Sequence, residues 1–457
     1  MSPIISRVSS SQGINSLSGF RRAFLGRSGV PAGYQIERSV RLNEADSPYL
    51  TRTPSSASNT RVFTFSAWVK RSGPGTQNLQ ALFAAGSGAS DNDYFQILFG
   101  GDQFRISALN YTPRRTYALY RDYSAWLHVL VHVDLNQASN SNKYRAWINN
   151  EEVAWQDTSS NQTNTGANTT TAHYIGAEAP GARRSNCYLT EVHFVDGQAL
   201  DPSIFGEFDA NGIWQPIEYT GTYGTNGFYL PCSDNSSASA LGTDYSGNSN
   251  NWSVNNISVA AGAGNDSLRD SPTNGGTAND TGAGGQIPGN YVTLNPLYFY
   301  ISNASQNDKW SLSNGNLQVS WDSTGSFDQW IGTTFGNFPS SGKYYAEVTM
   351  ISIGSGGIFR HGILNPALSG TYITNGYFLI DGNASAGTVL GFAWDIDNQI
   401  VTIYKNNTQL LQQTGIDIAG YAPTWLGSNS NSRDWTAAFN FGQRPFAYAA
   451  PSGFKAL

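Results

Sequence analysis

Trp126-Leu-His-Val-Leu-Val-His-Val-Asp134 alternates with a period of two, Val129, Val131 and Val133 against His128, Leu130 and His132. That spacing belongs to a β-strand with two distinct faces. Arg61-Val-Phe-Thr-Phe-Ser-Ala-Trp-Val-Lys70 has the same aromatic and β-branched character. The pattern returns late in the chain, in Lys343-Tyr-Tyr-Ala-Glu-Val-Thr-Met350 and in Gly391-Phe-Ala-Trp-Asp-Ile-Asp-Asn-Gln-Ile-Val-Thr-Ile-Tyr-Lys-Asn-Asn407. Turn signals separate the runs, among them Ala85-Gly-Ser-Gly88, Phe99-Gly-Gly-Asp102 and Ala179-Pro-Gly181. No run keeps a 3.6-residue apolar period for more than two turns. The expectation is an all-β chain of two antiparallel β-sandwich (jelly-roll) domains.

At 457 residues the chain exceeds one ordinary domain. Its composition divides residues 1–33, an extended arm, from a first sandwich at 34–232. A Gly/Asn/Ser-rich connector at 233–292 and a second sandwich at 293–457 follow. The connector reads first as a flexible linker. Tyr245, Trp252, Val254, Ile257 and Val259 are costly to leave in water, so part of it should lie against its neighbours. Tyr144-Arg-Ala-Trp-Ile-Asn-Asn-Glu-Glu-Val153 reads as a hairpin turning on Asn149-Asn150, and a second hairpin turns on Asp397-Asn398.

Only 13% of residues are charged, against about 25% in an average domain, and aromatics also reach 13%. The surface is therefore wetted by uncharged hydrogen-bonding groups. A net charge of −6 argues against nucleic acid, which asks for a basic face. No apolar run is long enough to span a bilayer, so no membrane insertion is expected. Met1-Ser-Pro-Ile-Ile-Ser-Arg-Val-Ser-Ser10 lacks a signal-peptide core, so release by lysis is the expected way out of a cell. Cys187 and Cys232 lie in strand-like runs and read as buried free thiols.

The arm carries Arg7, Arg21, Arg22 and Arg27 with no acidic residue. Alone it would be a solvated tail. In a larger particle Phe20, Phe24 and Leu25 would anchor it while Arg7, Arg21 and Arg22 met acidic grooves.

Several strings resemble known families. Gly387-Thr-Val-Leu-Gly-Phe-Ala-Trp-Asp-Ile-Asp-Asn398, Val401-Thr-Ile-Tyr-Lys-Asn-Asn407 and Ala438-Phe-Asn-Phe-Gly442 resemble the SPRY (B30.2-like) sandwich, with Asn407 standing where that hairpin usually has Gly. Phe65-Ser-Ala-Trp68, Ala146-Trp-Ile-Asn149 and Tyr188-Leu-Thr-Glu-Val-His-Phe-Val-Asp-Gly-Gln-Ala-Leu200 resemble the laminin-G/concanavalin A-like jelly roll. Phe205-Gly-Glu-Phe208, Gly221-Thr-Tyr-Gly-Thr-Asn-Gly-Phe228 and Gly442-Gln-Arg-Pro-Phe-Ala-Tyr448 look like tailed-phage virion proteins of podovirus and cyanophage type. The resemblance covers roughly 35–457 and leaves out the arm. It implies virion localisation, while the arm's own residues suggest contact with other virion proteins.

Concanavalin-like folds also host glucanases. Retaining hydrolysis needs two carboxyl groups about 5 Å apart. Glu191 and Asp196 are the nearest pair, and their odd spacing puts them on opposite strand faces. Glu151-Glu152 reads as a solvated turn. His128 and His132 share a strand face but are too far apart to ligate a metal without a third group, and Asp395 with Asp397 is explained by a capped turn as well as by calcium. The expectation is no enzyme, no cofactor and no metal.

Binding has better support. Asn110-Tyr-Thr-Pro-Arg-Arg-Thr-Tyr-Ala-Leu-Tyr-Arg-Asp-Tyr123 offers Tyr111, Arg114, Arg115, Tyr117, Tyr120 and Arg121, residue types that make rigid contacts and stack on sugars, although some of these tyrosines would equally serve a core. Arg433, in Ser428-Asn-Ser-Asn-Ser-Arg-Asp-Trp435, is a second candidate, with Trp435 assigned to the core. The sequence thus points to a tail fibre or tailspike-like appendage that binds a host-surface glycan or protein, as a homo-oligomer for which fibre architecture suggests a trimer. A capsid decoration or head-fibre protein is the alternative, and a glycan depolymerase the third reading.

Overall fold

A computed structural model describes residues 33–73, 79–108, 114–156, 162–272, 282–301, 310–321, 329–334, 338–354, 359–364, 378–379, 384–427 and 434–457. Among these residues the chain is almost entirely antiparallel sheet, as the alternation predicts. The candidate arm residues Arg7, Phe20, Arg21, Arg22, Phe24 and Leu25 lie outside the described residues, as do Tyr111 and Arg433.

The first sandwich stacks an eight-stranded sheet on a seven-stranded one. At the centre of the larger sheet, Val62–Arg71 lies between Trp126–Asp134 and Cys187–Asp196. Phe63, Phe65, Val69, Val129, Val131, Val133, Leu189 and Phe194 face Phe83, Phe95 and Ile97 of the smaller sheet across one apolar core. Phe63 meets Phe95 edge-on at 5.2 Å. Cys187 and Cys232 are both free and buried, and burial pushes each thiol up to about 12.

The outer face of the larger sheet is also covered, which a period-two pattern would not suggest. Val195 and Leu130 pack under Phe205 and Tyr223 of the segment that follows the last long strand. Trp68, Trp126 and Tyr188 join the core of the second sandwich. Burial on both faces explains why every residue of Cys187–Asp196 is buried.

The second sandwich pairs a five-stranded sheet with an eight-stranded one. Trp425 and Phe359 from the first meet Phe439, Phe392 and Trp435 from the second, with Trp425 and Phe439 edge-on at 4.7 Å. Trp435 is core, as the sequence suggested. Both expected hairpins form: Asn149 and Asn150 take φ of 50° and 67°, and Gln399 follows the Asp397-Asn398 turn at 57°. Asn406 and Asn407 turn the next hairpin at 47° and 66°, so asparagine fills a left-handed site that glycine could also serve.

Part of the Gly/Asn/Ser-rich stretch packs against its neighbours, as its apolar residues suggest. Ser253–Asn255 extends the seven-stranded sheet and Ser267–Leu268 extends the eight-stranded one. Trp252 is buried against Phe228 at 4.8 Å. The apolar residues scattered among Asn and Ser are enough to dock the stretch on the first sandwich.

That docking brings charges into the junction between the sandwiches. The buried Arg41 guanidinium donates to Asp266 at 3.0 and 3.1 Å and to the Asn314 carbonyl at 3.2 Å. Lys70 Nζ reaches Asp270 at 2.9 Å, Asn290 at 2.9 Å and the Tyr291 carbonyl at 2.7 Å. Trp126 Nε1 donates to the other Asp270 oxygen at 3.1 Å. Tyr188 Oη donates to Gly315 O at 2.6 Å. Gly315 has φ of 65°, and a Cβ there would collide with the Tyr188 ring and hydroxyl.

Candidate binding site

Arg114–Arg115 is a two-residue edge strand beside Gln103–Ser107. The chain that follows leaves the sheet yet is pinned at almost every residue. Thr116 N donates to Phe104 O at 3.0 Å, and the buried Thr116 hydroxyl donates to Ala118 O at 2.8 Å. Gln103 and Gln156 side chains both donate to Thr116 O at 2.9 Å. Tyr117 N donates to Ala154 O at 3.2 Å and Tyr120 N to Asp102 O at 2.8 Å.

Asp102 and Arg71 form the base of this loop. One Asp102 oxygen accepts from Arg121 Nε at 2.7 Å, the other from Tyr123 Oη at 2.8 Å and from Arg71 at 3.4 Å. Arg71, only 1% exposed, also donates to the carbonyls of Tyr120 at 2.5 Å and Gly101 at 2.6 Å. Its guanidinium lies on the Phe99 ring at 4.6 Å. Partial burial works against the Asp102 charge, but Arg121, Tyr123 and Arg71 outweigh it and hold the carboxyl below its usual range. Burial beside Asp102 pushes the Tyr123 hydroxyl up to about 12.

The candidates divide accordingly. Tyr117 is 66% exposed and Leu119 49%, while Arg115 and Arg121 also face water. Tyr120 is half-buried, edge-on to Phe99 at 6.1 Å. Arg114 is buried, with its guanidinium over the Tyr144 ring at 5.1 Å and a 2.6 Å bond to Asn140 O. It holds framework rather than facing solvent. Sequence reasoning missed Arg71 and Asp102. Gly100-Gly101-Asp102 looked like a simple turn, and nothing in sequence spacing ties it to Tyr123.

The other chemistry-bearing residues have local partners. Glu191 sits on a β-bulge at φ 52°, opposite the single residue Ala67, and accepts from Tyr34 at 2.8 Å and Tyr229 at 2.9 Å. Asp196 points to the other face, where it accepts from Asn59 N at 3.2 Å and Asn226 N at 3.0 Å. His128 accepts from Trp214 Nε1 at 3.1 Å and bonds Ser66 at 2.8 Å. Asp395 pairs with Lys343 at 2.7 Å and caps Asn398, while Asp397 accepts from Gly342 N at 2.9 Å. Glu152 pairs with Arg145 at 2.7 Å on the surface. Among the described residues, no three His, Cys, Asp or Glu side chains gather as metal ligands. No helix among them is long and apolar enough to cross a membrane.

Residues 44–204 match the laminin-G profile of the concanavalin A-like lectin/glucanases superfamily. No curated protein matches the chain. Similar solved structures include a candidate carbohydrate binding protein of Bacteroides ovatus, 13% identical, over 48% of this chain and 58% of that one, with a TM-score of 0.33. The chain thus spans little more than half of that protein. The SPRY domain of human HERC1 is 13% identical over 32% of this chain and 96% of its own, with a TM-score of 0.25. Stonustoxin is 14% identical over 33% of this chain and 27% of its own, with a TM-score of 0.22.

Proposed function

We propose that this chain is a non-covalent attachment protein that recognises a host-surface glycan through the Tyr117–Arg121 loop. The observation that carries the reading is the loop itself. An exposed aromatic and an exposed leucine are held on a backbone fixed by Asp102, Arg71, Gln103 and Gln156. A surface ordered before binding loses little conformational entropy when a sugar stacks on it. The lectin-type profile over residues 44–204 supports glycan as the ligand class.

The placement of the acids supports binding without turnover. Glu191 is capped by two tyrosines and Asp196 is bound by backbone amides on the opposite face, so the two do not flank a common substrate. The resemblance of Gly221–Phe228 and Gly442–Tyr448 to tailed-phage proteins supports a place in a virion appendage. There the arm would join other virion proteins, and multiple copies would raise avidity.

A panel of host polysaccharides and surface glycans tests the reading, with wild type compared against Tyr117→Ala and Leu119→Ser. The expected result is retained binding to one glycan class by wild type and loss of roughly tenfold or more in each variant. Unchanged affinity in both variants would rule out this loop. Release of reducing ends would replace attachment with depolymerisation.

A further inference from the structure

A sheet edge exposes unpaired backbone donors and acceptors, and proteins blunt such edges with charge, proline or brevity. Among the described residues most edges of this chain are blunted in those ways. Glu151–Glu152 is short and acidic, Arg114–Arg115 short and basic, and Ser267–Leu268 two residues long. Leu294–Ile301 is long but contains Pro296. The strand Thr408–Thr414 differs. It closes one edge of the eight-stranded sheet of the second sandwich, and its seven residues, Thr-Gln-Leu-Leu-Gln-Gln-Thr, include no charge and no proline. Its inner side pairs with Ile400–Lys405, with a bulge that skips Leu410 and leaves Leu411–Thr414 regular. Among the described residues no other segment bonds to its backbone. Thr408, Gln409, Gln412 and Thr414 are exposed.

We infer that Thr408–Thr414 is a dimerisation edge, on which the same strand of a second copy adds antiparallel about a two-fold axis. Three features select this occupant. An edge of Thr, Gln and Leu meets its own image without like-charge repulsion, and glutamine amides can bond one another across it. Lys405 stands at one end of the segment and the exposed Asp417 just past the other, neither in an ion pair among the described residues. Antiparallel addition brings each copy's Lys405 end beside the other's Asp417 end, whereas parallel addition sets like against like. An isologous contact also consumes the edge, so assembly stops at two. This favours a dimer over the threefold assembly that fibre architecture suggests, and it does not rest on the glycan-binding reading.

Sedimentation equilibrium of the full chain at micromolar concentrations tests it. Wild type should be dimeric. Gln412→Lys combined with Thr414→Lys places like charges across the axis and should give monomer with unchanged circular dichroism and melting temperature. Lys405→Asp should raise the dimer Kd by roughly tenfold, as two pairs, each of a half-buried residue 405 and an exposed Asp417, turn repulsive. Lys405→Asp with Asp417→Lys should restore it. A monomeric wild type, a trimer, or a dimer indifferent to the lysine pair would each overturn the proposal.

Discussion

His361 and His128 show how one side chain can tie stability to acidity. His361 Nδ1 donates to Thr424 O at 3.0 Å, which leaves Nε2 to accept from Trp394 Nε1 at 3.1 Å. His128 accepts likewise from Trp214. Burial pushes both imidazoles down to about 3 from an ordinary 6.5. The unfolded chain therefore takes up protons below about pH 6.5 that the folded chain refuses, so stability is complete above that value and falls as pH drops towards 3. The loss should reach about 2 kcal/mol per histidine by about pH 5. Thermal unfolding across this range should show the slope, and His361→Phe, whether or not it lowers the overall melting temperature, should make it shallower. At Asp102 the expected change is in binding. Asp102→Asn keeps the shape but weakens the anchors of Arg121 and Tyr123. Glycan affinity should fall several-fold, and hydrogen exchange at Tyr117–Arg121 should quicken.

Among elements, those with strict alternation were legible. Val62–Arg71, Trp126–Asp134 and both asparagine-rich turns could be placed from sequence because period and turn chemistry are local properties. The bulge at Glu191 was not, since only pairing with Val62–Arg71 reveals that two residues oppose one. The strands at Ser253–Asn255 and Ser267–Leu268 were hidden for a related reason. Their residues favour loops, and docking on an existing sheet overrides that preference. The loop after Arg115 was legible as an aromatic loop, but not its base, because Arg71 and Asp102 come from a strand and a turn outside that stretch of sequence. In the second sandwich Trp425 joins the two sheets through Phe392 and Phe439. Trp425→Ala should cost about 3–5 kcal/mol, read as a lowered denaturant midpoint, because neighbouring rings cannot collapse into the space.

At the scale of the whole molecule, the two sandwiches share a core and a buried polar seam. Lys70→Met would leave Asp270 buried opposite no cation, with an expected loss of about 3–5 kcal/mol. Limited proteolysis should then open the chain around residues 282–292 before either sandwich is cut. Gly315→Ala attacks the same seam through backbone shape alone, because φ of 65° and the Tyr188 ring leave no room for a methyl group. Its fragments should match those from Lys70→Met.

The sheet covered on both faces has a consequence for inheritance. A recombination joint near residue 232 would hand the recipient a first lobe with Trp126 and Tyr188 laid bare, and a second lobe lacking the aromatic wall it was built against. Gene exchange that yields folded descendants must therefore carry both lobes as a single cassette, and the surface loops can diversify more freely than the halves can be swapped.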